Sequence, residues 1–137
     1  MNYKEFRDKH QLYAILIKKD FTKPGLTFFT PDSFALQMGF WDYNKGKLLK
    51  PHIHIENKRT IEKTQELIYI LSGKVKVSLF KENGESIESF IAEQGDTVFH
   101  AEGGHGYEIL EDGTRVIEIK NGPFTGVESD KKHIEKR

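Results

Sequence analysis

The strongest constraint on this chain is its punctuation: short apolar stretches, cut at regular intervals by Gly, Asn and Asp. Lys74–Phe80 shows it most plainly, with Val75, Val77 and Leu79 alternating with Lys74, Lys76 and Ser78. Successive strand side chains point to opposite faces, so this reads as a strand with one covered and one wet face. Residues 11–18 are apolar nearly throughout and predict a strand covered on both faces. Further strands are expected at 34–43, 48–55, 64–71, 86–92, 97–100, 107–110 and 115–120. Between them lie turn residues: Lys23-Pro24-Gly25, Thr30-Pro31-Asp32-Ser33, Asn44-Lys45-Gly46-Lys47, Ser72-Gly73, Asn83-Gly84, Gly95-Asp96, Gly103-Gly104 and Asp112-Gly113. No helical period runs through the middle of the chain. This pattern predicts an all-β barrel or sandwich. Residues 2–9 are expected as a helical turn or ordered arm, and 121–137 as a loose or lightly docked tail.

Length and composition narrow the class. A chain of 137 residues with 36% hydrophobic and 12% aromatic residues can build one core, so a single domain over 1–137 is expected, with its core at about 34–120. Lys plus Arg and Asp plus Glu both number 21, which leaves no net field to attract nucleic acid or an anionic membrane. With no cysteine, any metal must be held by nitrogen and oxygen. The polar N-terminus and the lack of a long apolar run give a cytoplasmic expectation, with no membrane partner.

Chemistry concentrates at Pro51-His52-Ile53-His54-Ile55. In a strand, His52 and His54 share a face about 6.5–7 Å apart, close enough to converge on one ion, with Ile53 and Ile55 on the other face. Glu66 shares its parity with Ile68 and Ile70, where a carboxylate is costly unless paired or metal-bound. His105 likewise heads a face with Tyr107 and Ile109. His100 opposes Thr97 and Phe99 and is expected on the outer face or the rim. His10 and His133, near the termini, are expected in solvent.

These residues resemble the cupin superfamily. Its first motif, G-x5-H-x-H-x3/4-E-x6-G, is matched by Gly46, His52, His54, Glu66 and Gly73. Gly95, Asp96, Gly103 and His105 lie along the second, G-x5-P-x-G-x2-H-x3-N. Eleven residues separate His54 from Glu66, against the usual three or four. Ala101 stands where proline is usual and Ile109 where asparagine is, and the Gly103–His105 spacing is one residue short. The resemblance spans about 34–120. It implies a jelly-roll barrel (double-stranded β-helix), with His52, His54, Glu66 and His105 holding a divalent transition metal such as Fe, Mn, Zn or Ni. The long spacing predicts a hairpin at 56–63 that reaches over the barrel mouth or a partner subunit.

Cupins host many chemistries, so the fold alone does not give the function. The leading expectation is a metal-dependent isomerase or epimerase acting on a small carbohydrate, a sugar phosphate, or a keto or hydroxy acid. The segment 103–107 and the tail 120–124 resemble single-domain cupins of surface-polysaccharide and sugar metabolism. Tyr107 or Glu56 is the expected proton carrier, and Lys58 and Arg59 the expected contacts for a substrate phosphate or carboxylate. The alternatives are an Fe(II) dioxygenase, a metal- or sugar-binding module without turnover, and a metal-free ketoisomerase or epimerase using His with Tyr or Asp. A homodimer is expected, on the reasoning that the strand at 11–18 exposes an edge and that cupins pair their sheets.

Overall fold

In the computed structural model, which describes residues 2–135, the chain opens with an antiparallel hairpin of β1 (Tyr3–Asp8) and β2 (Gln11–Ile17). Met1 and the end of the charged tail, Lys136 and Arg137, lie outside the described residues. The hairpin replaces the helical turn or arm expected for 2–9. Phe6 goes into the core and stacks on Phe90 at 4.3 Å, while its neighbours Glu5 and Arg7 pair at the surface. Lys9, with φ +55°, makes the reversal.

β2 is not an edge. It pairs with β1 on one side and with β8 (Thr97–His100) on the other, which removes the reason given above for a dimer. β8 in turn pairs with β5 (Glu66–Ser72), and β5 with β10 (Arg115–Lys120), giving an antiparallel five-stranded sheet in the order β1-β2-β8-β5-β10. A second antiparallel sheet has the order β7-β6-β9, from β7 (Ser86–Glu93), β6 (Lys74–Phe80) and β9 (Gly104–Ile109). β3 (Gly25–Phe28) and β4 (Gly39–Asp42) form a separate hairpin, so the strand expected over 34–43 is confined to 39–42. The only helix among the described residues is the single turn α1 (Val127–Asp130). No described helix is long and apolar enough to cross a membrane.

The central strands β2 and β8 of the larger sheet are buried on both faces, as the unbroken apolar run of β2 predicts. One face meets the smaller sheet through Ala14, Leu16, Ile68, Ile70 and Val98 against Val75, Val77, Leu79 and Ala92. The other meets the segment 21–38, where Phe21, Phe29, Phe34, Leu36 and Met38 cover Ile15, Ile17, Leu67 and Phe99. Each buried side chain of this size contributes roughly 1.5–3 kcal/mol relative to exposure. Two of the motif glycines are required by close approach. Gly73 (φ +87°) leaves no room for a Cβ against Thr114, and a Cβ at Gly103 (φ +72°) would lie 2.5 Å from the Phe80 carbonyl oxygen.

β9 and β10 each end their sheet, and among the described residues the two sheets do not close into a barrel. The strand expected at 48–55 and the hairpin expected at 56–63 do not form. Residues 43–64 instead make a solvent-exposed arm without regular structure. Asn44-Lys45-Gly46-Lys47 does turn, with the Lys47 amide donating to the Asn44 carbonyl at 3.3 Å, but no paired strand follows.

Candidate functional site

Four polar side chains meet between the two sheets. Strand parity places Glu66, with Ile68 and Ile70, on the inner face of β5, and Glu66 is 8% exposed. Across from it, His105 and Tyr107 lie opposite the core residues Leu79 and Val77 of β6, so they too face inward. His105 Nε2 lies 2.6 Å from Glu66 Oε2, and the Tyr107 hydroxyl lies 2.7 Å from His100 Nε2. The His100 and His105 rings stack at 4.0 Å, which joins the two contacts into one cluster.

His100 corrects the sequence reading. It is 4% exposed, pairs in register with Glu66, and faces the inter-sheet core rather than the outer face or rim. Opposition to Phe99 would imply exposure only in a sheet with one wet face. Here Phe99 packs into the second core, so the face opposite it is interior too. The usable signal was Val98, whose neighbours of opposite parity, Thr97 and Phe99, flank a third apolar position.

Burial, reinforced by His105, holds the His100 imidazole well below the usual histidine range. Burial and the nearby Glu66 push the Tyr107 phenol well above its usual value. Near neutral pH the pair is therefore an uncharged imidazole and a protonated phenol sharing one hydrogen bond. The unfolded chain takes up a proton at this histidine below about pH 6.5, and the folded chain resists doing so. The sign follows: His100 stabilises the fold above that pH, and the contribution is lost as pH falls. Urea melts of the wild type and His100→Gln at pH 7.5, 6.5 and 5.5 should diverge, the wild type losing up to about 1.4 kcal/mol more per pH unit below 6.5.

The other expected site residues lie elsewhere. His52, His54, Glu56, Lys58 and Arg59 are all on the exposed arm. The imidazoles of His52 and His54 do stay together, their ring centroids 5.0 Å apart, but away from Glu66 and His105. The four residues implied as metal ligands are thus divided into two pairs. Among the described residues, no three His, Asp or Glu side chains are placed to hold one ion. An open cleft of about 410 Å3, lined by Tyr13, Lys63, Lys81 and Glu102 among others, contains none of the cluster residues. One residue not singled out from the sequence positions the arm's return: Asn121 accepts from the Gln65 amide at 2.8 Å and donates to the Lys63 carbonyl at 3.1 Å. Comparison with known proteins gives no match for the chain among family models, curated proteins or solved structures.

Proposed function

We propose that this chain is a cupin-type enzyme that moves a proton on a small carbohydrate, or on a keto or hydroxy acid, as an isomerase or epimerase does. The observation that carries the reading is the coupled cluster, with His105 against Glu66 at 2.6 Å and Tyr107 against His100 at 2.7 Å. Isomerisation next to a carbonyl needs a base to take the carbon-bound proton and an acid to protonate the carbonyl oxygen. The Glu66–His105 pair supplies a group that accepts a proton and a partner that shares it. Tyr107, kept protonated, supplies the acid, and the neutral His100 holds its hydroxyl. Tyr107 and His105 are only partly buried, so a substrate can reach them, whereas His100 acts through Tyr107.

The finer fold reading, a jelly-roll barrel, belongs to the same proposal, supported by the two facing antiparallel sheets and by Glu66 and His105 meeting between them. The divalent metal implied by the cupin resemblance does not fit the donors that one chain assembles. Glu66 and His105 offer one oxygen and one nitrogen, where catalytic zinc, for example, takes three protein ligands. His52 and His54 beside them would complete a three-histidine, one-carboxylate set.

The test is exchange of solvent deuterium into a panel of keto and aldo sugars, sugar phosphates and keto acids. It is read by mass spectrometry with and without added Mn2+, Fe2+, Ni2+ or Zn2+. One deuteron per turnover is expected, with the rate cut roughly 10²–10⁴-fold in Tyr107→Phe. The reading fails if no member of the panel exchanges. Oxygen uptake that depends on added iron would transfer the site to the dioxygenase class.

A further inference from the structure

Residues 43–64 are an arm that carries alternating residues at 51–55 and pairs with no strand among the described residues. Leu48, Ile53 and Ile55 are 87%, 90% and 88% exposed, more than any other large hydrophobic side chain among the described residues. The hydrogen bonds described for residues 44–62 are local: Lys47 to Asn44, and His52 Nδ1 with the Lys50 carbonyl at 3.1 Å. Hydrogen bonding to the body resumes where Lys63 pairs with Glu102 and Asn121 clasps the chain. Alternating apolar residues standing in water, as Ile53 and Ile55 do here, mark a strand face without a partner.

The body shows the matching deficit. β9 is bonded to β6 on one side only among the described residues, and it carries two exposed apolar side chains, Tyr107 and Ile109. At the arm's root, Leu26, Phe28, Trp41 and Tyr43 of the β3–β4 region are also exposed. A strand laid on the free edge of β9 would pair it on both sides.

Parity fixes what such a strand does. If 48–55 pairs with β9 so that Ile53 and Ile55 lie on the outer face with Glu108, His52 and His54 fall on the inner face with His105 and Tyr107. Directly opposed side chains on adjacent strands have Cβ atoms about 4.5–5.5 Å apart. The free edge of β10 serves this less well, because β10 carries neither His105 nor Glu66, whereas β9 carries His105 itself.

We infer that two copies of this chain exchange their 43–64 arms. Residues 48–55 of each add a strand to the other's β9 and bring His52 and His54 to the partner copy's Glu66–His105 pair. The site described above is then incomplete in one chain and complete in two. This deepens the proposed function and rests on it only for the role of the histidines; the exchange itself rests on the arm and the open edge. A 22-residue arm spans up to about 70 Å when extended, ample to cross to a second copy. The exchange is isologous, so it closes at two copies and leaves neither arm free.

The chain has no cysteine, so a disulfide can report the contact directly. Ile53→Cys/Glu108→Cys and Ile55→Cys/Glu108→Cys place both thiols on the outer face, clear of the cluster. Mild oxidation of at least one double variant should give a covalent dimer on a non-reducing gel, absent from each single-cysteine variant. Light scattering should give a dimer mass for the wild type. A covalent monomer, free thiols in both double variants, or a monomeric wild type would overturn the exchange. Isothermal titration of the wild type with Mn2+ or Zn2+ separates the two readings. Cross-linking without metal uptake keeps the exchange and removes the metal, and metal uptake by a monomer does the reverse.

Discussion

Asp96→Ala is expected to cost roughly 3–5 kcal/mol of folding stability, the range for removing one partner of a buried, hydrogen-bonded charge pair. The Asp96 carboxylate is fully buried and takes three bonds: Lys18 Nζ at 2.8 Å and the Glu93 amide at 2.7 Å on Oδ2, and the Lys19 amide at 3.0 Å on Oδ1. Its own backbone carbonyl accepts from the Ile70 amide at 3.0 Å. One side chain therefore fastens the end of β2 and the β7–β8 turn at a point already tied to β5. Lys18 is about a third exposed and can turn to water, which lowers its share of the loss. The two part-buried backbone amides lose their acceptor, and a donor left unsatisfied costs about 1–3 kcal/mol. Against a total stability of about 5–15 kcal/mol the loss is large. Urea denaturation should show the midpoint falling with an unchanged slope, and Asp96→Asn, which keeps acceptor capacity without the charge, should fall between the wild type and alanine. A loss below about 1 kcal/mol for Asp96→Ala would show that this carboxylate is not a structural clasp.

Asp96 also illustrates how legible the chain was. Its place in the motif was visible, but its work was not, because its partners Lys18 and Lys19 lie far away in sequence and only the β2–β8–β5 pairing brings them near. The strands that could be read were those whose periodicity and turns agree, such as 74–80 and 115–120, which form with the expected bounds. Residues 2–9 were illegible because Tyr3, Lys4, Glu5, Phe6 and Arg7 alternate only weakly. What makes them a strand is a tertiary partner, β2. Residues 48–55 fail for the opposite reason. Their alternation is clean over 51–55, but periodicity specifies faces and says nothing of which strand, or which molecule, supplies the hydrogen bonds. At the site, parity placed Glu66, His105 and Tyr107 on inner faces. It misplaced His100 because the two-sided burial of β8 is a property of the layers and not of four residues.

Mixing two disabled copies is expected to restore metal binding that neither has alone. One variant carries His52→Ala and His54→Ala, and the other Glu66→Gln and His105→Ala. Each homodimer lacks half of every ligand set, and Mn2+ or Zn2+ affinity should fall by more than the roughly 10–100-fold that loss of an outer-shell partner costs. When arms are exchanged, a mixed dimer has one site with all four wild-type side chains and one with none. Random pairing makes half of the dimers mixed, so about a quarter of all sites should regain wild-type affinity in a titration of the re-equilibrated mixture. If the arm folded back on its own chain, no mixture of these variants would hold a complete set and nothing would be regained. The measurement needs no knowledge of the substrate. It weighs one geometric fact, that His52 and His54 stand 5.0 Å apart on an exposed arm while Glu66 and His105 wait together between the two sheets.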